Sequence, residues 1–227
     1  MYKEYIEKYK TEIWKPKSVP TNVNESDWPY SFIDFDQDFN KFLEEIKTIP
    51  DKYWISHRQN DTSSGYKHEG WSAAVLRGVD YTKTEYHSRY GFNTYEDANY
   101  NWTEVNDFTP TLTHFLKELK WNRFERVRIM RLAPQGFIMP HTDGNTRMFG
   151  PFNIAINNPD NCNFVMKKYG LVPHQKGRGI FLDVGNEHCI YNDSNDHRYH
   201  IIVHGHLNTN LLSKSTQYTY GHTKNQT

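Results

Sequence analysis

The chain has 227 residues, with 27 Lys+Arg against 27 Asp+Glu and a formal net charge of zero. That balance removes the electrostatic footing of a nucleic-acid or anionic-membrane binder, and no apolar run approaches the roughly 18 residues of a membrane-spanning helix. Its 16 Tyr, 13 Phe and 6 Trp exclude a disordered chain.

Residues 1–35 read as an N-terminal extension. Tyr2, Tyr5, Ile6 and Tyr9 have helical spacing, and Pro16, Pro20 and Pro29 then punctuate irregular chain. Met1–Lys10 alternates charged and aromatic residues and does not read as a signal-peptide core. A helix is expected over 38–49, with Phe39, Phe42, Leu43 and Ile46 on one face and Pro50 ending it. Trp71–Val79 reads as a strand, and 82–107 as mostly loop of the kind that often covers a binding site. A second helix starts with Thr109 as N-cap and Pro110 in its first turn, burying Leu112, Phe115, Leu116 and Leu119.

From Arg126 the texture changes to short strands between Gly, Pro, Asn and Asp clusters: Arg126–Leu132, Gly136–Met139, Phe152–Asn157, Asn163–Lys168, Gly179–Asp183, His188–Tyr191 and Tyr199–Leu207. This is the pattern of a sandwich or barrel. The expected organisation is one mainly β domain with flanking helices over 36–208, its core at 125–208, followed by a polar tail, 209–227. Cys162 and Cys189 are too few for a disulfide framework or a thiolate zinc site, which points to buried thiols in a reducing, cytosolic compartment. Oligomeric state has no sequence signal.

The chemistry concentrates at His141-Thr142-Asp143. In extended chain, residues i and i+2 point the same way, so both side chains can approach one point. His188, after a Gly turn, supplies a third ligand. Two His and one carboxylate on one face of an octahedron leave positions open for a co-substrate and O₂, as in non-haem Fe(II) oxygenases. Arg198, ten residues beyond His188, can hold a dicarboxylate bidentately. Along 126–132, alternation separates Val127, Ile129 and Arg131 from Arg128, Met130 and Leu132. One of these arginines therefore faces the interior, where it anchors a carboxylate or makes a salt bridge. Arg147 has similar standing near the first ligands. His200, His204 and His206 share a strand face with Arg198 and form a rival metal set.

Residues 125–208 resemble the aspartyl/asparaginyl β-hydroxylase group of 2-oxoglutarate oxygenases. The resemblance lies in Val127-Arg128-Ile129 through Pro134-Gln135-Gly136, Pro140-His141-Thr142, Gly179-Ile180-Phe181-Leu182-Asp183, Glu187-His188, and Asn192 through Arg198. It implies a double-stranded β-helix, a jelly-roll relative of the cupins, with Fe(II) at His141 and His188 and the distal carboxylate of 2-oxoglutarate at Arg198. Gly70-Trp71-Ser72 resembles a segment that places a tryptophan near the co-substrate. Some members carry Gly where this chain has Asp143, and the group's Arg-x-Arg-x-His stretch is reduced to Arg147-Met148-Phe149. Met130 replaces a co-substrate-binding serine. The implied activity is hydroxylation of an amino acid, free or in a peptide. The alternatives are a His-metal cupin isomerase or lyase that does not use 2-oxoglutarate, and a non-catalytic jelly-roll binding module.

Overall fold

The computed structural model describes residues 2–11, 30–58, 67–119, 121–144 and 151–206. Arg147, the irregular stretch around Pro16 to Pro29 and the C-terminal tail lie outside them. Among these described residues, four α-helices and eleven strands follow in chain order: α1 (Tyr2–Tyr9), β1 (Tyr30–Asp34), α2 (Phe39–Lys47), β2 (Ile55–Ser56), β3 (His68–Gly78), α3 (Tyr95–Ala98), β4 (Asn101–Trp102), α4 (Pro110–Glu118), β5 (Arg123–His141), β6 (Phe152–Ala155), β7 (Cys162–Met166), β8 (Gly170–Leu171), β9 (Arg178–Leu182), β10 (His188–Asn192) and β11 (Arg198–His206).

The strands form one curled antiparallel sheet in the order β1-β9-β6-β11-β5-β10-β7-β8, with β3 also paired to β5, β2 and β4. This is a double-stranded β-helix, the mainly β jelly roll expected from the strand spacing. Alternation along its central strands decides what faces where. Val127 and Ile129 on β5, Tyr199, Ile201 and Val203 on β11, and Ile154 on β6 pack with Phe42 and Ile46 of α2 and Leu112 and Leu116 of α4. This is the apolar core, between the sheet and its two scaffold helices. The opposite face carries Arg126, Arg128, Met130 and Leu132, registered against His204, Ile202, His200 and Arg198. That face is the barrel interior.

Two expected strands, 126–132 and 136–139, are one 19-residue strand. Pro134-Gln135-Gly136 bends it without ending it. Gln135 takes φ 60°, and Gly136 is required because a Cβ there would lie 2.8 Å from the Ala133 carbonyl and 2.9 Å from that of Glu69. The bend hands β5 from β11 to β10. Tyr30–Asp34, inside the expected extension, pairs with β9. Residues 30–33 are buried along both faces, so they show none of the alternation that marks a half-exposed strand. The expected loop over 82–107 holds α3, β4 and short 3₁₀ turns. Thr109 precedes α4, but its side chain makes no capping bond. The Glu45 carboxylate of α2 takes that role, accepting from the Thr111 and Leu112 N–H groups at 3.0 Å each.

Candidate active site

His188 and His141 are direct partners in the β10–β5 register, which brings their ring centroids to 4.2 Å. Asp143, two residues past His141, is tied by its N–H to the Val184 carbonyl at 2.8 Å. One potential ligand atom from each of His141, Asp143 and His188 lies within 4.8 Å of the others, and this is the metal-competent cluster among the described residues. In each histidine, Nδ1 sits on the carbonyl two residues earlier: Met139 for His141 at 2.7 Å, Asn186 for His188 at 2.8 Å. A carbonyl only accepts, so Nδ1 carries the proton and the Nε2 lone pair is left for a ligand. The Nε2 atoms lie 3.8 and 4.0 Å from Asp143 Oδ2. Burial alone would raise the Asp143 pKa, but the neighbouring His141, then His188 and Arg58, hold it at about 2. Burial first, then the charge of His141, lowers His188 to about 4. The donor set is thus an ionised carboxylate and two imidazoles that turn Nε2 toward it, which fits a divalent first-row ion.

Arg198 opens β11 on the interior face and is 2% exposed. Its Nε donates to Asn158 Oδ1 at 3.2 Å and its Nη1 to His200 Nδ1 at 2.7 Å. Both acceptors are neutral, and no carboxylate among the described residues pairs with it. Nearby, His174 is fully buried with both ring nitrogens unbonded and in the field of Arg198. A buried cation held in place and lacking a counter-charge fits the distal carboxylate of 2-oxoglutarate.

A cleft of about 190 Å³ opens beside Asp143, with Trp71, His57, Arg58, Tyr86, Arg126, Arg128 and His204 in its wall. Trp71 stands edge-on to His57, with centroids 4.8 Å apart. Arg128 faces inward as alternation allowed, donating through Nη1 to the Thr84 carbonyl at 2.9 Å and to His57 Nε2 at 3.2 Å. Burial, then the charge of Arg126, lowers its pKa to about 9, so the group stays cationic at neutral pH.

Arg131 is a correction. It lies on the outer face, where it donates to Ser72 Oγ at 3.2 Å and covers Trp54 at 4.3 Å, so it is directed away from the cleft. The rival histidine set also separates. A register shift between His204 and Gly205 turns His206 outward, where it meets Arg123 at 2.8 Å, and His200 is the acceptor for Arg198. Cys162 and Cys189 are free and buried, and burial pushes their thiols up to about 11 and 12, which suits packing and not nucleophilic attack. Arg58, His57, His174 and Tyr86 went unread in the sequence. They stand in segments without periodicity and reach the site only through folding. Arg126 had a signal, since the alternation that turns Arg128 inward turns its i−2 neighbour too.

Among solved structures, the chain is similar to a Trichoplax adhaerens prolyl hydroxylase in complex with a hypoxia inducible factor peptide fragment, at 11% identity and TM-score 0.47, covering 82% of this chain and 87% of that one. It is also similar to a 2-oxoglutarate complex of a viral collagen prolyl hydroxylase from Paramecium Bursaria Chlorella virus-1, at 14% and 0.41, covering 82% and 99%. A Pseudomonas putida prolyl-4-hydroxylase follows at 10% and 0.44, covering 80% and 94%. No curated protein matches the sequence. Residues 34–206 match the aspartyl/asparaginyl beta-hydroxylase family, and the chain belongs to that family of 2-oxoglutarate-dependent Fe(II) hydroxylases.

Proposed function

We propose that His141 Nε2, Asp143 and His188 Nε2 hold Fe(II), that Arg198 holds the distal carboxylate of 2-oxoglutarate, and that the protein hydroxylates an amino acid, free or within a peptide. When bound, these groups supply the oxidising power: 2-oxoglutarate goes to succinate and CO₂, and the atoms of O₂ are divided between succinate and a substrate C–H bond. The chain orients and shields. The carbonyls of Met139 and Asn186 fix the histidine tautomers, Asn158 and His200 fix the plane of the Arg198 guanidinium, and Trp71 walls the cleft beside Asp143. No described helix is long and apolar enough to cross a membrane, and two free thiols are consistent with a cytosolic setting.

The observation that carries this reading is Arg198, a buried guanidinium with only neutral acceptors inside the barrel that gathers the His-Asp-His cluster. Succinate formation without substrate, followed against 2-oxoglutarate concentration, tests it. Arg198→Lys keeps the charge and loses the fork, so KM for 2-oxoglutarate is expected to rise about ten- to a hundredfold, the worth of a charged hydrogen bond, with iron affinity unchanged. An unchanged saturation curve would mean that Arg198 is structural.

A further inference from the structure

The cleft beside Asp143 carries more positive charge than a co-substrate pocket at Arg198 requires. Arg126 and Arg128 are each 3% exposed and stand two residues apart on β5, on one face of the strand. Each donates through Nη1 to the Thr84 carbonyl, at 3.0 and 2.9 Å. Their Nε atoms, and Nδ1 of the buried His204, have no hydrogen-bond partner among the described residues, and neither guanidinium meets a carboxylate there. The acid drawn into this group, Glu85, lies against His57 at 3.3 Å and Arg58 at 3.4 Å. Tyr86 braces Arg126 from below, its ring centroid 3.9 Å from Cζ. Two guanidinium groups held side by side in a buried wall, neither matched by a carboxylate among the described residues, form a receptor for a compact oxyanion.

This receptor is separate from Arg198. In the β5–β11 register Arg198 faces Leu132, whereas Ile202 faces Arg128 and His204 faces Arg126. The two sets of arginines are therefore four to six residues apart along the sheet, roughly 13–20 Å between backbone positions at the usual strand rise. Asp143 shares the cleft with Arg126 and Arg128, and the volume of about 190 Å³ is below the roughly 300–1,000 Å³ of sites for drug-sized ligands. We infer that the substrate is a small molecule bearing its own carboxylate or phosphate, bound between Arg126 and Arg128 with its reacting carbon turned toward Asp143. This rests on the reading of His141, Asp143 and His188 as the metal face.

The test is calorimetric titration of the full chain loaded with Zn(II) and 2-oxoglutarate, so that the Arg198 pocket is filled. The probes are butyrate, propyl phosphate and the neutral isostere butyramide. Saturable binding of at least one acid, without binding of butyramide, is expected. The tighter acid identifies the head group as carboxylate or phosphate. Arg126→Gln and Arg128→Gln should each weaken that acid about tenfold or more, the worth of one charge-assisted bond, while leaving 2-oxoglutarate affinity unchanged. No acid binding, equal binding of butyramide, or folded variants that bind the acids like the parent would overturn the proposal. The parent's acid-versus-amide comparison decides the matter if neither variant folds. If the parent takes up no Zn(II) or 2-oxoglutarate, the metal reading falls. Metal-free Arg198→Gln protein should then still bind the acid if the subsite is real, and its failure to do so overturns the subsite separately.

Discussion

Two backbone carbonyls, of Met139 and Asn186, set which nitrogen of His141 and His188 is offered to the site, and Asp143 completes the face as an anion held at about 2. Removing the carboxylate leaves two imidazole donors and no anion to offset a divalent ion. Asp143→Ala is therefore expected to weaken Co(II) or Mn(II) binding at least about tenfold in a calorimetric titration, with the thermal midpoint of the metal-free protein nearly unchanged. Equal metal affinity would remove Asp143 from the ligand set. The meeting of these three side chains was legible because strand geometry places i and i+2 together and a glycine turn precedes His188. His174 and Arg58 were not legible: His57, beside Arg58, meets Arg128 across 71 residues of sequence, a contact that exists only once β3 has paired with β5.

At the scale of elements, β5 does the organising. Its first part pairs with β11 and carries the arginines inward; its last part pairs with β10 and delivers His141. Pro134-Gln135-Gly136 reads as a stop in sequence and is a bend in the structure, because the residues on either side keep partners in the same sheet. Helices α2 and α4 were legible from their apolar spacing and their proline signals, but the cap of α4 was not. Thr109 is the local candidate, while Glu45, 66 residues before Thr111, provides the acceptor. Glu45→Ala leaves two helix N–H groups without it and should lower unfolding free energy by about 1 kcal/mol, the usual worth of a cap. Thr109→Ala, read the same way in urea, should leave the helix cap intact. A larger loss for Thr109→Ala than for Glu45→Ala would restore the local reading.

At the scale of the molecule, the barrel buries an unusual load of imidazole. Burial, and then the charge of the neighbouring arginine, holds His57, His174, His200 and His204 well below the ordinary histidine pKa; burial, then His141, puts His188 at about 4. In the unfolded chain each returns to about 6.5. Below that pH the unfolded state takes up protons that the folded state refuses. Stability is thus fully present above about pH 6.5 and is lost as pH falls toward the depressed folded values, by up to about 1.4 kcal/mol per pH unit for each histidine. Asp143, whose folded pKa lies below its unfolded one, contributes stability above about pH 4 and loses it only as pH falls through about 2, outside this window. The urea midpoint of the metal-free protein should fall sharply from about pH 7.5 to about pH 5.5; equal midpoints would mean that these rings are protonated or hydrated in the fold. The claim on which the whole account turns is that one barrel holds Fe(II) and 2-oxoglutarate together. Anaerobic titration of the Fe(II)-loaded chain with 2-oxoglutarate, followed by visible absorption, tests it most directly. A saturable charge-transfer band is expected, one that succinate does not elicit and that Arg198→Gln displaces to higher concentration. Absence of the band in protein shown to hold iron would contradict the account.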